Sequence, residues 1–396
     1  MRSMPDLHQQ LTDQLGAIEQ QGQLRHLVPV VHLDHGRIEI NGCRYLNLAG
    51  NDYLGLATNC RQLEAFFNEQ DKGNLLECYG LGSTASRLMT GNTRPYAQLE
   101  HQLASLYQTE AALIFNSGYH LNIGILPALS GKQDLILADK LCHASLIDGM
   151  RLSRAKVIRY PHLDYQAIEQ ILVKERDRYR QVFIVTESIF SMDGDTADLA
   201  ELVRLKDRFQ ATLYVDEAHG VGIRGAKGLG LAEEQGVHQA IEILTGTFGK
   251  AYGGQGAFVV GSRILIDFLL NTARPQIFST GLPPVSAHWL CFVLRQIPLL
   301  QEQRAKVAKM AENLRQSLRD AGLQTLGSSN IVPVMVGDAT RAVVAAERIC
   351  NSGYWVKAVR PPTVPVGTSR LRLSLNAAMD WEQLAPLPAI IAESLR

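Results

Sequence analysis

Short apolar runs that alternate with helical patterns constrain the fold of this chain more than any other feature. Most of these runs are rich in β-branched residues, and amphipathic helical segments separate most of them. Strands that are joined by crossover helices form a mainly parallel sheet covered on both faces. The sequence therefore predicts an α/β fold. The predicted strands are residues 111–115, 134–138, 156–160, 182–186, 212–216, 241–245 and 257–261.

The pattern changes toward the carboxyl end of the chain. Two long helical segments precede a strand at 331–336, and a further helix precedes a strand at 371–375. This order predicts a smaller α+β domain, with which we expect an amphipathic helix over residues 7–18 to pack. Asn41 and Gly42 both tolerate positive φ and predict a hairpin turn. We therefore expect three parts: a helix-and-hairpin segment at 1–45, a large domain at 46–283 and a small domain at 284–396.

Composition points to a small-molecule partner. The chain has 396 residues, and its 39 basic residues balance 39 acidic ones, so no net charge favours nucleic acid or an anionic membrane. Its six cysteines lack the close spacing of metal or redox sites, so we expect no metal and free, buried thiols in a reducing cytoplasm. The amino terminus carries acidic residues, unlike a signal peptide, and no apolar stretch approaches membrane-spanning length. These features predict a cytoplasmic protein.

Two segments, 213–220 and 245–250, carry the strongest chemical signal. The first is an apolar strand that ends in Asp216, with His219 three residues later, and such strand ends bind ligands in open α/β sheets. The second places Lys250 among glycines, which let a flat ligand approach the backbone. Each residue alone is often structural, but the set suits pyridoxal 5'-phosphate. Lysine can hold the aldehyde as a Schiff base, the acid can keep the pyridine nitrogen protonated, and histidine can bind the phenolic oxygen.

Three further predicted strand ends carry polar residues. Gly118 and Tyr119 lie where a helix start can bind phosphate, although Ser117 can also be read as the cap of a plain turn. His143 can stack on a pyridine ring or be a structural histidine. The cluster at 186–195 can be functional or an ordinary turn. Four candidate strand ends together favour a cofactor site more than any one of them does.

Six motifs then occur in order, at residues 51–56, 82–87, 139–145, 191–195, 216–220 and 247–250. They resemble those of the α-oxoamine synthases, pyridoxal-phosphate enzymes of fold type I, and the resemblance covers nine-tenths of the chain. The segments 359–365 and 367–373 are similar to family members that use a pimeloyl thioester. The resemblance implies an acyltransferase that condenses L-alanine with a pimeloyl thioester, carried by coenzyme A or acyl carrier protein, and releases carbon dioxide and a thiol.

The resemblance also implies roles for individual residues. Lys250 would form the aldimine, Asp216 would pair with the pyridine nitrogen, and His219 would meet the phenolic oxygen. The expected catalytic residues are Lys250, His143 and Asp216. The other expected contacts are His143 on the ring, Gly118, Tyr119 and Thr247 on the phosphate, Ser191 near the cofactor, Asn51 near the reacting centre, Arg372 on the amino-acid carboxylate, and Thr363 and Arg25 on the acyl substrate. Ser279 and Thr280 match the place where a neighbouring subunit approaches the phosphate, which implies a homodimer with the active site at the subunit interface.

Some residues depart from the family pattern and leave more than one function open. Thr84 and Ala85 stand where several synthases carry two glycines, and Met379 stands where a histidine is common. These changes are compatible with a relative that uses glycine, serine or another acyl donor, including one that makes a signalling aminoketone. A different pyridoxal-phosphate reaction, such as transamination or decarboxylation, and an inactive binding protein are also open. The intact lysine and aspartate disfavour the inactive protein.

Overall fold

A computed structural model describes residues 6–20, 23–69 and 74–396, so residues 1–5, 21 and 22 of the predicted amino-terminal segment lie outside the described residues. The α-helices are α1 Leu7–Gln20, α2 Cys60–Asn68, α3 Leu75–Tyr79, α4 Arg94–Tyr107, α5 Gly118–Leu129, α6 Ala144–Leu152, α7 Tyr165–Glu175, α8 Leu199–Phe209, α9 Leu231–Glu234, α10 Arg263–Thr272, α11 Arg274–Phe278, α12 Pro284–Gln296, α13 Gln301–Asp320, α14 Ala339–Asn351, α15 Trp381–Leu384 and α16 Leu387–Ser394. The strands are β1 Val31–His32, β2 Arg37–Ile40, β3 Cys43–Asn47, β4 Ala111–Phe115, β5 Leu135–Asp139, β6 Lys156–Tyr160, β7 Val182–Glu187, β8 Thr212–Asp216, β9 Ile243–Thr247, β10 Ala257–Gly261, β11 Ile331–Gly337, β12 Tyr354–Trp355, β13 Lys357–Val359 and β14 Ser369–Ser374.

The central sheet confirms the predicted mainly parallel arrangement. Among the described residues it has seven strands in the order β4-β10-β9-β8-β7-β5-β6. Strands β9, β8, β7, β5 and β6 run parallel, and β10 is antiparallel to its neighbours β9 and β4. Alternate residues of β5 reach opposite faces of the sheet, since Leu135 and Leu137 belong to one apolar cluster and Ile136 and Ala138 to another. Both faces are therefore covered.

In the central sheet, strands β4, β6, β8 and β10 have the predicted bounds, and β5 and β7 end one residue later than predicted. The strand predicted at 241–245 lies two residues further along the chain. Gly246 and Thr247 belong to β9, where Gly246 pairs with Phe258 of β10. The Phe258 ring fills the space that a Cβ on Gly246 would need, with ring atoms 2.5 and 2.8 Å from it. Gly246, one of the glycines near Lys250, is thus required within the sheet.

The carboxyl-terminal part carries its own sheet of described strands, in the order β11-β14-β13, with helix α14 packed against it. Another sheet, β1-β2-β3-β12, contains the predicted hairpin, and positive φ at Asn41 and Gly42 confirms its turn. Strand β12 pairs in parallel with β3, which ties the first hairpin to the carboxyl-terminal part. The division of the chain at residues 45 and 283 stays a prediction.

The expectation that the amino-terminal helix packs on the small domain is wrong. None of the described side chains of α1 is buried, and Leu7, Leu11 and Leu15 are 68%, 50% and 53% exposed. Helical periodicity shows that one face is apolar, but it does not show which surface that face meets.

The cysteines agree only in part with the prediction from composition. None of the six cysteines, all of which lie in the described part of the chain, forms a disulfide, as predicted, but only Cys142 and Cys291 are buried, whereas Cys43 and Cys60 are exposed. In the described part of the chain, no helix combines the length and apolarity that a bilayer-spanning segment requires.

Candidate active site

Lys250 follows β9, and its amine contacts His219, which follows β8. Lys250 Nζ lies 2.8 Å from His219 Nε2. Burial lowers the pKa of Lys250 to about 8, although the carboxylates of Asp216 and Glu187 act in the opposite direction. A lysine with this pKa is partly neutral near pH 8, and the neutral amine is the nucleophilic form. The two parallel strand ends thus bring a nucleophile and an imidazole together.

A hydrogen-bond network continues from His219 to Arg372. His219 Nδ1 lies 2.7 Å from the Tyr53 hydroxyl. That hydroxyl donates to Asn51 Oδ1 at 3.1 Å, and Arg372 Nη2 donates to both Asn51 Oδ1, at 3.1 Å, and the Tyr53 oxygen, at 3.3 Å. Burial and the nearby cation of Lys250 lower the pKa of His219 well below its usual value, so the ring is neutral. This network is consistent with a proton on Nδ1, which leaves Nε2 as the acceptor for Lys250.

Arg372 lies on β14 and is half-buried without a carboxylate partner in the described part of the chain. Its Nε donates to the Ser191 carbonyl at 2.6 Å, and its Nη1 donates to Ser374 Oγ at 2.8 Å. These neutral acceptors orient the guanidinium but do not neutralise it. A partly desolvated, fixed guanidinium is suited to bind a carboxylate through its planar fork.

A second network joins Asp216 to His143. Asn122, on α5, donates to Asp216 Oδ2 at 2.9 Å and to Ser145 Oγ at 2.9 Å. Ser145 Oγ lies 2.8 Å from His143 Nδ1, and Tyr214 donates to Asn122 Oδ1 at 2.5 Å. Helix α5 thereby fixes the buried carboxylate and the imidazole relative to each other.

Glu187 ends β7 beside Asp216 and is also buried. Burial, and then the Asp216 carboxylate, raise the pKa of Glu187 well above its usual value. Its Oε1 accepts a hydrogen bond from the His143 backbone N–H at 2.5 Å. Asp216 accepts two hydrogen bonds, from Asn122 and from the Ala218 N–H at 2.9 Å. Burial favours the neutral form of Glu187, and its carboxyl is already bound to the His143 N–H, so Asp216 is the carboxyl group of this pair that is available to face a cationic ring nitrogen.

The amino terminus of α5 offers backbone donors to an anion. Ser117 is the helix cap, as one of the two sequence interpretations predicted, and its side chain accepts from the His120 N–H at 3.2 Å. The first N–H groups of a helix, here those of Gly118 and Tyr119, have no intrahelical acceptor. A Cβ on Gly118 would lie 3.9 Å from the side chain of Thr247. The end of β9 therefore lies close to the start of α5.

Two side chains near this helix start already donate their hydroxyl hydrogens to acceptors within the protein, unlike the backbone N–H groups. The Thr247 hydroxyl donates to the Gly256 carbonyl at 3.0 Å, and the Tyr119 hydroxyl donates to Asp148 Oδ2 at 2.5 Å. Tyr119 would therefore contribute its N–H rather than its phenol. A half-buried amine, a buried carboxylate, an unneutralised guanidinium and a helix start together fit pyridoxal phosphate bound with an amino acid.

A cavity of about 710 Å³ opens beside His143, and we call it the His143 cavity. Ser191 and Thr363 also line it, and Thr363 is exposed. Much of the remaining lining is apolar, from Leu141, Cys142, Ala144, Ile147, Phe190, Met192, Pro362, Val364 and Pro365. Arg25 is exposed in the segment between α1 and β1 and does not line the cavity, so the structure does not bring this predicted substrate contact to the site.

A histidine that the sequence interpretation did not select fixes one wall of the cavity. His162 Nδ1 lies 2.9 Å from Asp139, and Nε2 lies 2.8 Å from Asp195. Burial alone would lower the pKa of His162, but the hydrogen bonds to the two carboxylates outweigh it and raise the pKa to about 10. The imidazolium thus links the end of β5 to the loop that carries Phe190 and Ser191.

Tyr53, Asn122 and Glu187 were also missed as site residues. Tyr53 stands inside the 51–56 motif, and Asn122 is a lone amide in an apolar helical run, so both left a signal in the sequence. Buried polar groups of this kind need hydrogen-bond partners, which makes them candidates for a site.

Comparisons with known proteins identify the family. A family model described as aminotransferase class I and II matches residues 44–391. The 8-amino-7-oxononanoate synthase of Chlorobaculum parvum is 48% identical over 360 residues, which cover 91% of each chain. This chain belongs to the 8-amino-7-oxononanoate synthase family. The predicted fold type I architecture and the membership predicted from the sequence motifs are both confirmed.

Solved structures agree with this 8-amino-7-oxononanoate synthase assignment. A serine palmitoyltransferase from S. paucimobilis with a bound PLP–myriocin aldimine superposes with a TM-score of 0.89 at 27% identity, over 98% of each chain. The 8-amino-7-oxononanoate synthase of Francisella tularensis gives a TM-score of 0.73 at 28% identity, over 88% of this chain and 97% of that one. The same fold therefore carries a pyridoxal-phosphate adduct in a relative of similar length.

Proposed function

We propose that this chain condenses L-alanine with a pimeloyl thioester to give 8-amino-7-oxononanoate, carbon dioxide and a free thiol, a reaction of biotin biosynthesis. The observation that carries the proposal is the continuous network from the half-buried amine of Lys250, through His219 and Tyr53, to the unneutralised fork of Arg372. It sets an amine and a carboxylate receptor at the two ends of one small site. The 48% identical relative of that name supports the choice of reaction.

The bond changes define what the site must do. The α-hydrogen of alanine leaves as a proton, its α-carbon bonds to the thioester carbonyl, and the carbon–sulfur bond breaks. The alanine carboxylate then leaves as carbon dioxide, and a proton returns to the same carbon. Pyridoxal phosphate supplies the electron sink that stabilises negative charge on that carbon.

Lys250 and Arg372 are the residues that would act on alanine. Arg372 would hold the carboxylate by two parallel hydrogen bonds, because the Ser191 and Ser374 oxygens already fix the plane of its guanidinium. Lys250, with a pKa lowered to about 8 by burial, can accept the α-proton near neutral pH and return it. His219 would keep the Lys250 amine oriented through its Nε2.

The remaining residues would hold the cofactor. Asp216, fixed by Asn122, would face the pyridine nitrogen and keep it cationic. His143 would stack on the ring, since Ser145 and the Glu187 carboxyl hold it at the end of β5. The phosphate would bind at the start of α5, at the N–H groups of Gly118 and Tyr119 and near Thr247, and Ser191 would lie near the cofactor.

The acyl chain would occupy the His143 cavity, whose apolar lining suits methylene groups and whose edge carries Thr363. Asn51, hydrogen-bonded to Arg372, would lie near the reacting centre. Coenzyme A and acyl carrier protein both stay open as carriers of the acyl group. Arg25 stays a proposed contact of the acyl substrate. For this contact to form, its exposed segment would have to move, or the Arg25 of a second copy of the chain would have to reach the site.

A homodimer and a cytoplasmic location belong to the same proposal. The dimer rests on the family resemblance at Ser279 and Thr280, and Thr280 accepts a hydrogen bond from Asn116 at 2.6 Å, next to the start of α5. The location rests on six scattered cysteines that form no disulfide in the described part of the chain. Molar mass in solution, measured by light scattering with and without pyridoxal phosphate, tests the dimer.

The function is tested by thiol release from pairs of small amino acids and acyl thioesters. Alanine, glycine and serine are each combined with acyl-coenzyme A donors of several chain lengths. The proposal expects the highest kcat/KM for alanine with pimeloyl-coenzyme A. A preference for glycine or serine, or for a monocarboxylic donor, would instead assign the chain to a different acyl transfer within the family. Cofactor binding without thiol release from any pair would contradict an acyltransferase altogether.

A further inference from the structure

Two cations, Lys140 and Arg159, line the largely apolar His143 cavity, and the residue roles proposed above do not account for them. The charged residues of the lining are Lys140, His143, Arg159, Asp193 and Arg370. Asp193 and Arg370 form an ion pair and neutralise each other. Desolvation lowers the pKa of His143 below its usual value, which favours the neutral imidazole. Lys140 and Arg159 are therefore left as a net positive pair in the cavity wall.

Neither cation is neutralised by the described residues of the chain, in which no carboxylate lies within ion-pair distance of Lys140 or Arg159. The Arg159 guanidinium donates a hydrogen bond to the Lys140 carbonyl, which is a neutral group. Both side chains are exposed, so an incoming anion can reach them. Two like charges that are held together repel each other, and an anionic group between them relieves this repulsion.

The backbone holds the two cations at one place on the sheet edge. Arg159 on β6 is in register with Ala138 on β5, and the Lys140 N–H donates to the Tyr160 carbonyl at 3.1 Å. The four consecutive residues 140–143 all line the cavity. Three residue steps separate Lys140 from His143, which limits the distance between their Cα atoms to roughly 11 Å. A ligand whose reacting end lies at His143 can therefore reach the cations with a chain of several carbons.

We propose that Lys140 and Arg159 bind an anionic group of the acyl donor, namely the terminal carboxylate of a dicarboxylic acyl chain. This inference rests on the proposed function and assigns the residues that would recognise the carboxylate end of its acyl substrate. The apolar lining favours the acyl chain as the occupant, because methylene groups would separate the thioester carbon from the carboxylate. The phosphates of a carrier such as coenzyme A have the same charge and are the competing source of the anion.

Four acyl donors separate these two sources. Pimeloyl and heptanoyl groups differ in the terminal carboxylate, and each is attached either to coenzyme A or to N-acetylcysteamine, which carries no phosphate. The double variant Lys140→Gln/Arg159→Gln is compared with the wild type and with Lys132→Gln/Lys174→Gln. The two control lysines are exposed and lie outside the cavity lining. Initial rates of thiol release give kcat and KM for each donor.

The expected result is a rise of about tenfold in KM for both pimeloyl donors in the Lys140 and Arg159 variant, the size appropriate to two solvent-exposed ion pairs. The two heptanoyl donors, the alanine KM and the control variant stay unchanged. A rise confined to the two coenzyme A donors would overturn the proposal in favour of phosphate binding. Equal KM values in wild type and variant would overturn it as well.

Two further measurements keep the result interpretable. Because Arg159 donates to a backbone carbonyl, the single variant Lys140→Glu is measured too, and it should raise the KM of pimeloyl donors more than Lys140→Gln does. Its failure to do so would count against the proposal even if the double variant were unstable. Absence of thiol release by the wild type with all four donors would refute the proposed function itself, and this inference with it.

Discussion

Replacing His162 by glutamine should destabilise the protein in a pH-dependent way. His162 donates to two carboxylates, Asp139 at 2.9 Å and Asp195 at 2.8 Å, and its pKa is raised to about 10. A group whose pKa is raised on folding stabilises the folded state fully below its unfolded pKa, about 6.5, and loses this effect as the pH rises through about 10. The contribution should therefore be largest at pH 6.

The size of the effect follows from the surroundings of the imidazolium. A shift from 6.5 to about 10 would correspond to about 5 kcal/mol without screening. Solvent reaches both His162 and Asp195, which are 23% and 29% exposed, and Asp139 also accepts from the N–H groups of Leu141 and Leu163. We therefore expect a loss of about 2 kcal/mol, typical of charge-assisted hydrogen bonds at a partly exposed site.

Denaturant unfolding of the holoenzyme at pH 6.0 and pH 9.5 measures this loss. His101→Gln, an exposed histidine on α4, is the matched control and should change stability little at either pH. His162→Gln should lower the transition midpoint clearly at pH 6.0 and much less at pH 9.5. An equal loss at both pH values, or a loss that grows with pH, would refute the ion-pair explanation.

Three other predictions concern the active site. The rate at which the apoenzyme captures pyridoxal phosphate can be followed by visible absorbance. It should rise with pH and level off with an apparent pKa near 8, because burial lowers the pKa of Lys250. A midpoint near 10.5 would contradict this. Asp216→Asn should retain the cofactor but lower kcat by about 100-fold or more, since the ring nitrogen loses its anionic partner, and an unchanged kcat would exclude a charged pair. Arg372→Lys should raise the KM of alanine by at least about tenfold and leave the thioester KM unchanged, because lysine lacks the fork; equal rises in both would show a general disturbance.

The sequence predicted the fold well where local patterns determine structure. The buried strands β4, β8 and β10 have the predicted bounds, because an apolar run between turn residues has few other solutions. Strand β9 was predicted two residues too early. The ring of Phe258, on another strand, leaves no room for a side chain at position 246, and local sequence does not show this contact. The packing of α1 was wrong because the partner of an apolar face is a tertiary property.

Local sequence patterns also predicted part of the candidate site, but not the contacts between residues far apart in the chain. Strand ends and glycine-flanked residues identified Lys250, Asp216 and His219 from local sequence. Tyr53 and Asn122 act through contacts over 166 and 94 residues of separation, to His219 and Asp216 respectively, which no local pattern encodes.

The central claim is that Lys250 enables an acyl transfer coupled to loss of the alanine carboxylate. Alanine labelled at its carboxyl carbon is mixed with pimeloyl-coenzyme A, and labelled carbon dioxide, free thiol and the amino-oxo acid are quantified by mass spectrometry and thiol titration. The wild type should form all three in equal amounts, and Lys250→Ala should form none of them above background. Thiol without carbon dioxide, or undiminished turnover by Lys250→Ala, would contradict the claim.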